Sequence, residues 1–267
     1  EWTGPKPYFD KVVYNIISSP EAAELAFEAG EIDSTKITAK TMVRWEKEPP
    51  ENSSLHVAGA LQYMWMGMNT DHPKLQDIKV RQALQHAIDV DTVLEGAYEG
   101  ASVRSYGMVC PGLVGNRQSN GIDYNPAKAK SLLSEAGVSG LSLVLKTLNH
   151  PERVLAAQII QANLADVGVS LEVIPLDSGP FWSMGQESKG DEWKESQLWL
   201  MRFGGSPDPH DMAQWFIRDQ VGIWNWERWS DDEFEALYEA GQLETDLGKR
   251  NDIYVRMQEI MDATGAY

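Results

Sequence analysis

The sequence predicts an α/β protein whose mixed, partly parallel sheet is flanked by helices. Three stretches carry that expectation. Residues 61–68 (LQYMWMGM) are apolar except for Gln62 and stop at Asn69-Thr70-Asp71-His72-Pro73, the pattern of a buried strand ended by turn residues. Directly after it, Val80, Ala83, Leu84, Ala87 and Ile88 recur at helical spacing behind Asp77, a side chain suited to cap a first turn. Further on, runs at 141–147, 151–167 and 169–176 read as strand, helix and strand, the order of a parallel βαβ unit.

The remaining elements follow in chain order. Residues 1–7 read as a Pro/Gly loop, and 11–17 (KVVYNII) have the composition of a strand. Ser19-Pro20 opens a helix with Ala22, Leu25, Ala26 and Ala29 on one face and Gly30 as its stop. Ile32-Asp33 begins a second extended piece. A short helix is expected over 38–48, ended by Pro49-Pro50, and a strand over 54–58. Beyond residue 89, Val93, Leu94 and Ala97 share a helical face. Residues 100–120 are rich in Gly, Ser and Pro, and loops of that length are usually functional or mobile. Asn125-Pro126 starts another helix, with Ala129, Leu132, Leu133 and Ala136 inward. A strand is expected at 196–203, a turn at 204–209 and a helix at 211–218. Ser230, with Asp231, Asp232 and Glu233 behind it, is read as the cap of a helix facing inward through Phe234, Leu237 and Tyr238. The last helix, 246–261, turns Ile253, Met257 and Ile260 to the core.

Bulk properties narrow the function. With 267 residues, 42% of them hydrophobic, the chain can bury a sizeable core, and no stretch is long and apolar enough for a membrane helix. A net charge of −17 spread along the chain argues against nucleic acid or an anionic membrane as partner. One cysteine, Cys110, leaves neither an internal disulfide nor a cysteine-built metal site. Ten tryptophans are many; most serve as core fillers, and some are candidates to line a ligand cleft.

Five motifs carry a family resemblance. Asn69-Thr70 with DIKVRQAL and AID resembles the signature NxxxxPLxDxxVRQALxxAID of the solute-binding proteins of peptide and nickel ABC transporters. YFDKVVYNIISSPEAAELAFEAGEIDST, YNPAKAKSLLSEAG, LWLMRFGGSPDPHDMAQWF and NWERWSDDEFEALYEAGQLETDLGKRNDIYVRMQEIM are similar to further family motifs, in the family's order. The resemblance implies a periplasmic-binding-protein-like lobe. Residues 1–60 would be a fragment of a first lobe plus a hinge strand, and residues 61–267 the second, ligand-binding lobe. With Glu1 in place of an initiator Met and a C terminus close behind a helix, the ends read as cut from a longer protein.

The resemblance also nominates a ligand site at Trp65, Asn69, Arg202, Phe203, Gly204 and Gly205. Trp65 either stacks on a solute or fills the core, and Asn69 suits the turn at least as well as a ligand. Peptide-binding members place an aspartate at the strand-to-turn corner to pair with the peptide's ammonium. The matching position here is Gly205, and the matching tryptophan is Arg202. Arginine favours an anion, or it closes a salt bridge with one of the 40 acidic residues. Asp208, His210 and Asp211 lie too close in sequence to converge on a metal, and Cys110 reads as a packed side chain. The implied function is the substrate-binding component of an ABC importer, without catalysis, metal or cofactor. It would be a periplasmic or membrane-anchored extracytoplasmic monomer that captures a peptide, opine or other anionic solute and presents it to the permease. A sensor domain derived from such a lobe is the alternative. A hydrolase has no nucleophile elbow, zinc motif or phosphate loop to support it.

Overall fold

A computed structural model describes residue 4 and residues 6–267. By its internal contacts the chain divides into two compact units, Glu1–Val57 and Ala58–Tyr267.

The first unit holds two helices, α1 (Pro20–Glu28) and α2 (Ala39–Lys47). Each begins at a hydroxyl cap: Ser19 accepts from the N–H of Ala22, and Thr38 from that of Thr41. The two helices are tied through Glu24, whose buried carboxylate accepts from the Thr38 N–H at 2.6 Å and the Thr41 hydroxyl at 2.7 Å. Phe27 packs on Trp45, their rings 5.5 Å apart. The strands expected at 11–17 and 54–58, and the extended piece at Ile32-Asp33, do not form. These residues are irregular, and Tyr14 and Ile16 stand almost fully exposed. A strand exists only where a neighbour takes its hydrogen bonds, and among the described residues none pairs with them.

The second unit is a four-stranded sheet in the order β1 (Gln62–Met68), β4 (Leu198–Gly204), β2 (Ser142–Leu148), β3 (Ser170–Leu176). β1 runs antiparallel to β4; β2 runs parallel to both β4 and β3. The sheet is thus mixed and partly parallel, as the sequence implies. Helices α3 (Ile78–Ala87), α4 (Val90–Tyr98), α5 (Pro126–Glu135) and α6 (Pro151–Asp166) supply one hydrophobic core, with Val80, Leu84, Ala129, Ile160 and Leu164 packed beneath Met68, Leu145, Leu198 and Leu200. Asp77 accepts from the N–H of Lys79 and starts α3, while a new cap at Asp89 separates α4 from it.

On the other face lies a second core, formed with the short helices α7 (Ser178–Ser183) and α9 (Pro209–Ala213) and the long pair α10 (Asp232–Leu243) and α11 (Leu247–Thr264), while α8 (Glu192–Glu195), just before β4, buries none of its residues. The helix expected at 211–218 is α9, from Pro209, followed by two 3₁₀ turns. α10 is capped by Asp231, which accepts from the Phe234 N–H at 3.0 Å, in place of Ser230. The stretch 100–120 is irregular but pinned to α11. Gln258 donates to Gly115 O at 2.8 Å, Arg117 pairs with Asp262 at 2.6 Å, and Met108, Val109 and Cys110 are core residues. Arg81 of the VRQAL motif is likewise structural: its guanidinium donates to the carbonyls of Thr264 and Gly265, closing the C-terminal end of α11.

Candidate functional site

Strand alternation sorts the candidate residues before any ligand is considered. Because successive side chains of a strand point to opposite faces, Trp65 and Phe203 join the second core while Arg202, aligned with Met64, belongs to the face of the first. The six candidates therefore do not form one cluster.

On the aromatic face, the Trp65 ring stacks on Tyr63 at 4.8 Å and meets Phe203 and Phe216 at 5.5 Å each. Its indole N–H donates to Glu227 Oε1 at 2.8 Å. Trp65 is 7% exposed and Glu227 1%. Burial without a cationic partner pushes the Glu227 carboxyl up to about 7, against the pull of the Trp65 hydrogen bond. Gly67, beside Trp199 in the ladder, leaves room for this arrangement: a Cβ there would collide with the Trp199 indole and the Glu227 carboxylate. Asn69 is also committed. Its amide donates to Trp193 O and Ser196 O at 2.9 Å each, and its Oδ1 accepts from the Asp71 N–H at 3.1 Å, which fixes the turn after β1.

Toward the C-terminal end of β4 the aromatic face opens. Phe203 is half-buried and surrounded by Trp182, Trp215 and Trp224, themselves half-buried, at centroid distances of 6.1, 4.5 and 5.7 Å. The indole N–H of Trp215 is buried with no hydrogen-bond partner. Sequence reading reached Phe203 but not the three tryptophans, whose only signal was the high total. Gly204 aligns with Gln62, and the Gly205 N–H donates to Leu61 O at 3.0 Å, so both glycines continue the pairing of β1 with β4 past its regular end. Asp208 caps α9 through the His210 N–H at 2.9 Å and pairs with Arg250 at 2.8 Å. Burial opposes its ionisation, but these hydrogen bonds win and hold its carboxyl low. His210 stacks on Tyr238 at 4.0 Å.

On the opposite face Arg202 is exposed, and among the described residues it has no ion pair or hydrogen bond through its side chain. Nearby stand Tyr98, whose hydroxyl reaches Met64 Sδ at 3.2 Å, and Arg153, at the start of α6. Both sides of this site lie at the C-terminal edge of the parallel strands β2 and β4, where open α/β sheets present their crevices.

The profile of bacterial extracellular solute-binding proteins, family 5, middle region, matches residues 1–223. The chain belongs to this family. The dipeptide-binding protein of Escherichia coli is 25% identical over 265 residues, 97% of this chain and 49% of the relative. Heme-binding protein A of Haemophilus influenzae is 26% identical over 273 residues, 97% of this chain and 48% of the relative. Among solved structures, the periplasmic binding protein DppA of Helicobacter pylori, in complex with the peptide STSA, superposes with a TM-score of 0.87 at 25% identity, over 99% of this chain and 52% of that one. The family-5 chain described here thus spans about half the length of the curated relatives it matches. Members of the family are substrate-binding transport proteins located outside the cytoplasm. Among the described residues no helix is long and apolar enough to cross a membrane.

Proposed function

We propose that this chain supplies one wall of a solute-binding cleft in the binding component of an ABC importer, holding a peptide-like or other small solute for delivery to a permease. The observation that carries this is the open aromatic cluster of Phe203, Trp182, Trp215 and Trp224 at the sheet edge, in a chain that superposes along 99% of its length on a peptide-bound relative. Flat side chains with one orphaned N–H suit a ligand with an apolar group and a hydrogen-bond acceptor. In this reading residues 61–267 are the ligand-binding lobe and residues 1–60 a fragment of the first lobe with its hinge strand. Phe203 touches the solute on the aromatic side and Arg202 on the far side of the same strand end, Gly204 and Gly205 let its backbone approach, and Trp65 and Asn69 hold the floor in place. Capture proceeds without chemistry, so the protein is a binder and not an enzyme. With glycine at position 205, a free amino terminus is not what anchors the solute.

Isothermal titration calorimetry against dipeptides with free and acetylated amino termini tests this. Binding that tolerates acetylation and weakens about threefold to tenfold in Phe203→Ala is the expected result. Affinity should rise in a chain extended to the relatives' length, since closure of two lobes buries most of a ligand. No heat from either chain with any solute would end the reading.

A further inference from the structure

Arg153 is a buried cation with nothing to bind. It is 4% exposed, yet its guanidinium enters no ion pair and no side-chain hydrogen bond among the described residues, and its Nη1 is sealed from solvent without a partner. An arginine does not shed its proton to escape such a position, and leaving an unpaired charge buried is costly. The surroundings make the position worse. Burial lowers the pKa of Arg153, the second cation Arg202 lowers it further, and only Tyr98 and Glu152 act the other way. Glu152 does not close an ion pair with it. Arg153 sits in the first turn of the sixteen-residue α6, whose cap, His150, makes no side-chain hydrogen bond, although its carbonyl accepts from the N–H groups of Arg153 and Val154. The helix end therefore adds positive potential to two unpaired guanidiniums, at the carboxyl edge of β2 and β4.

We propose that Arg153 and Arg202 together are an anion anchor, and that the solute carries an oxyanion, a carboxylate or a phosphate, bridging the two guanidiniums at the α6 N terminus. The proposal rests on the solute-capture reading above and names its substrate class. An oxyanion satisfies the orphaned Nη1, removes the repulsion between the two cations and receives paired charge-assisted hydrogen bonds. Arg153, held by burial, fixes the position; Arg202, exposed, closes over the bound group.

The test uses this chain and two simple probes, sodium acetate and inorganic phosphate, each against sodium chloride at matched ionic strength, with thermal unfolding as the readout. One probe or both should raise Tm by about 2–5 °C at about 20 mM, as a millimolar site would by mass action, and the larger rise assigns the oxyanion class. The rise should vanish in Arg202→Gln, an exposed position where folding is not at stake, and in Arg153→Met. No rise over chloride overturns the proposal, as does a rise that survives in Arg202→Gln. Separately, a chain that captures carboxy-amidated peptides in calorimetry while ignoring acetate and phosphate would keep the proposed function and lose this anchor.

Discussion

The two faces of β4 use neighbouring residues to opposite ends. Met201 and Phe203 point into a face already filled by Trp65, Trp199, Phe216 and Phe234, where even a carboxylate, Glu227, is enclosed. Arg202, between them, points to the other face, where the core stops short of the strand end and the guanidiniums of Arg202 and Arg153 have no counter-ion among the described residues. The difference shows that nearness in sequence assigns nothing across a strand: a shift of one residue exchanges a packed aromatic platform for a charged edge. The aromatic face is packed along most of the strand, and the arginine edge leaves charge exposed at its end.

The comparison is sharpest in stability. Trp65→Ala should cost about 3–5 kcal/mol, because it opens a large cavity and deprives Glu227 of its hydrogen bond. Arg202→Ala, one register step away, should stay within about 0.5 kcal/mol. Urea unfolding of both variants decides it, and equal costs would break the distinction between the faces.

Glu227 gives the next effect. Its folded pKa, raised from 4.5 to about 7, means that the folded state holds the proton more tightly than the unfolded chain. Its contribution is therefore intact below about pH 4.5 and declines as pH rises toward about 7. Above that a constant penalty of about 3 kcal/mol remains. Glu227→Gln should abolish this slope while still accepting from Trp65. Urea midpoints at about pH 5 and about pH 8 compare the two proteins, and parallel pH profiles would contradict the assignment.

Arg153 gives an effect of the opposite sign. Because its charge is buried and unpaired, Arg153→Met should leave stability unchanged or raise it by about 1 kcal/mol, against the usual direction for a buried residue. A clear loss of stability would mean that the guanidinium is satisfied by the fold itself, and the two faces would then differ less than their geometry indicates.

Much of the fold is legible in the sequence because its signals are local. The caps at Ser19, Thr38, Asp77 and Asn125 bond to N–H groups two or three residues on, so spacing alone locates those helix starts. Ser230 shows the limit: with Asp231 next to it, two residues had the chemistry of a cap, and only the path of the entering chain selected Asp231. The helix α7 carries a Gly-Pro pair in its six residues and offered no periodic stripe to read.

What the sequence determined by itself is whatever short-range chemistry dictates: the α/β class, the amphipathic stripes of α3 and α5, and the family, whose motifs are strings of neighbouring residues. Tertiary structure decided everything that needs a partner far along the chain. Residues 11–17 have the composition of a strand and none of its pairing, whereas 62–68 become one because β4, more than a hundred residues later, takes their hydrogen bonds. Trp182, Trp215 and Trp224 become neighbours only when the fold gathers them around Phe203. Arg153 gave no signal in its own segment, since an unpaired charge is defined by what is missing around it in space. Burial and pairing are properties of surroundings, and those are set by the packing of distant segments.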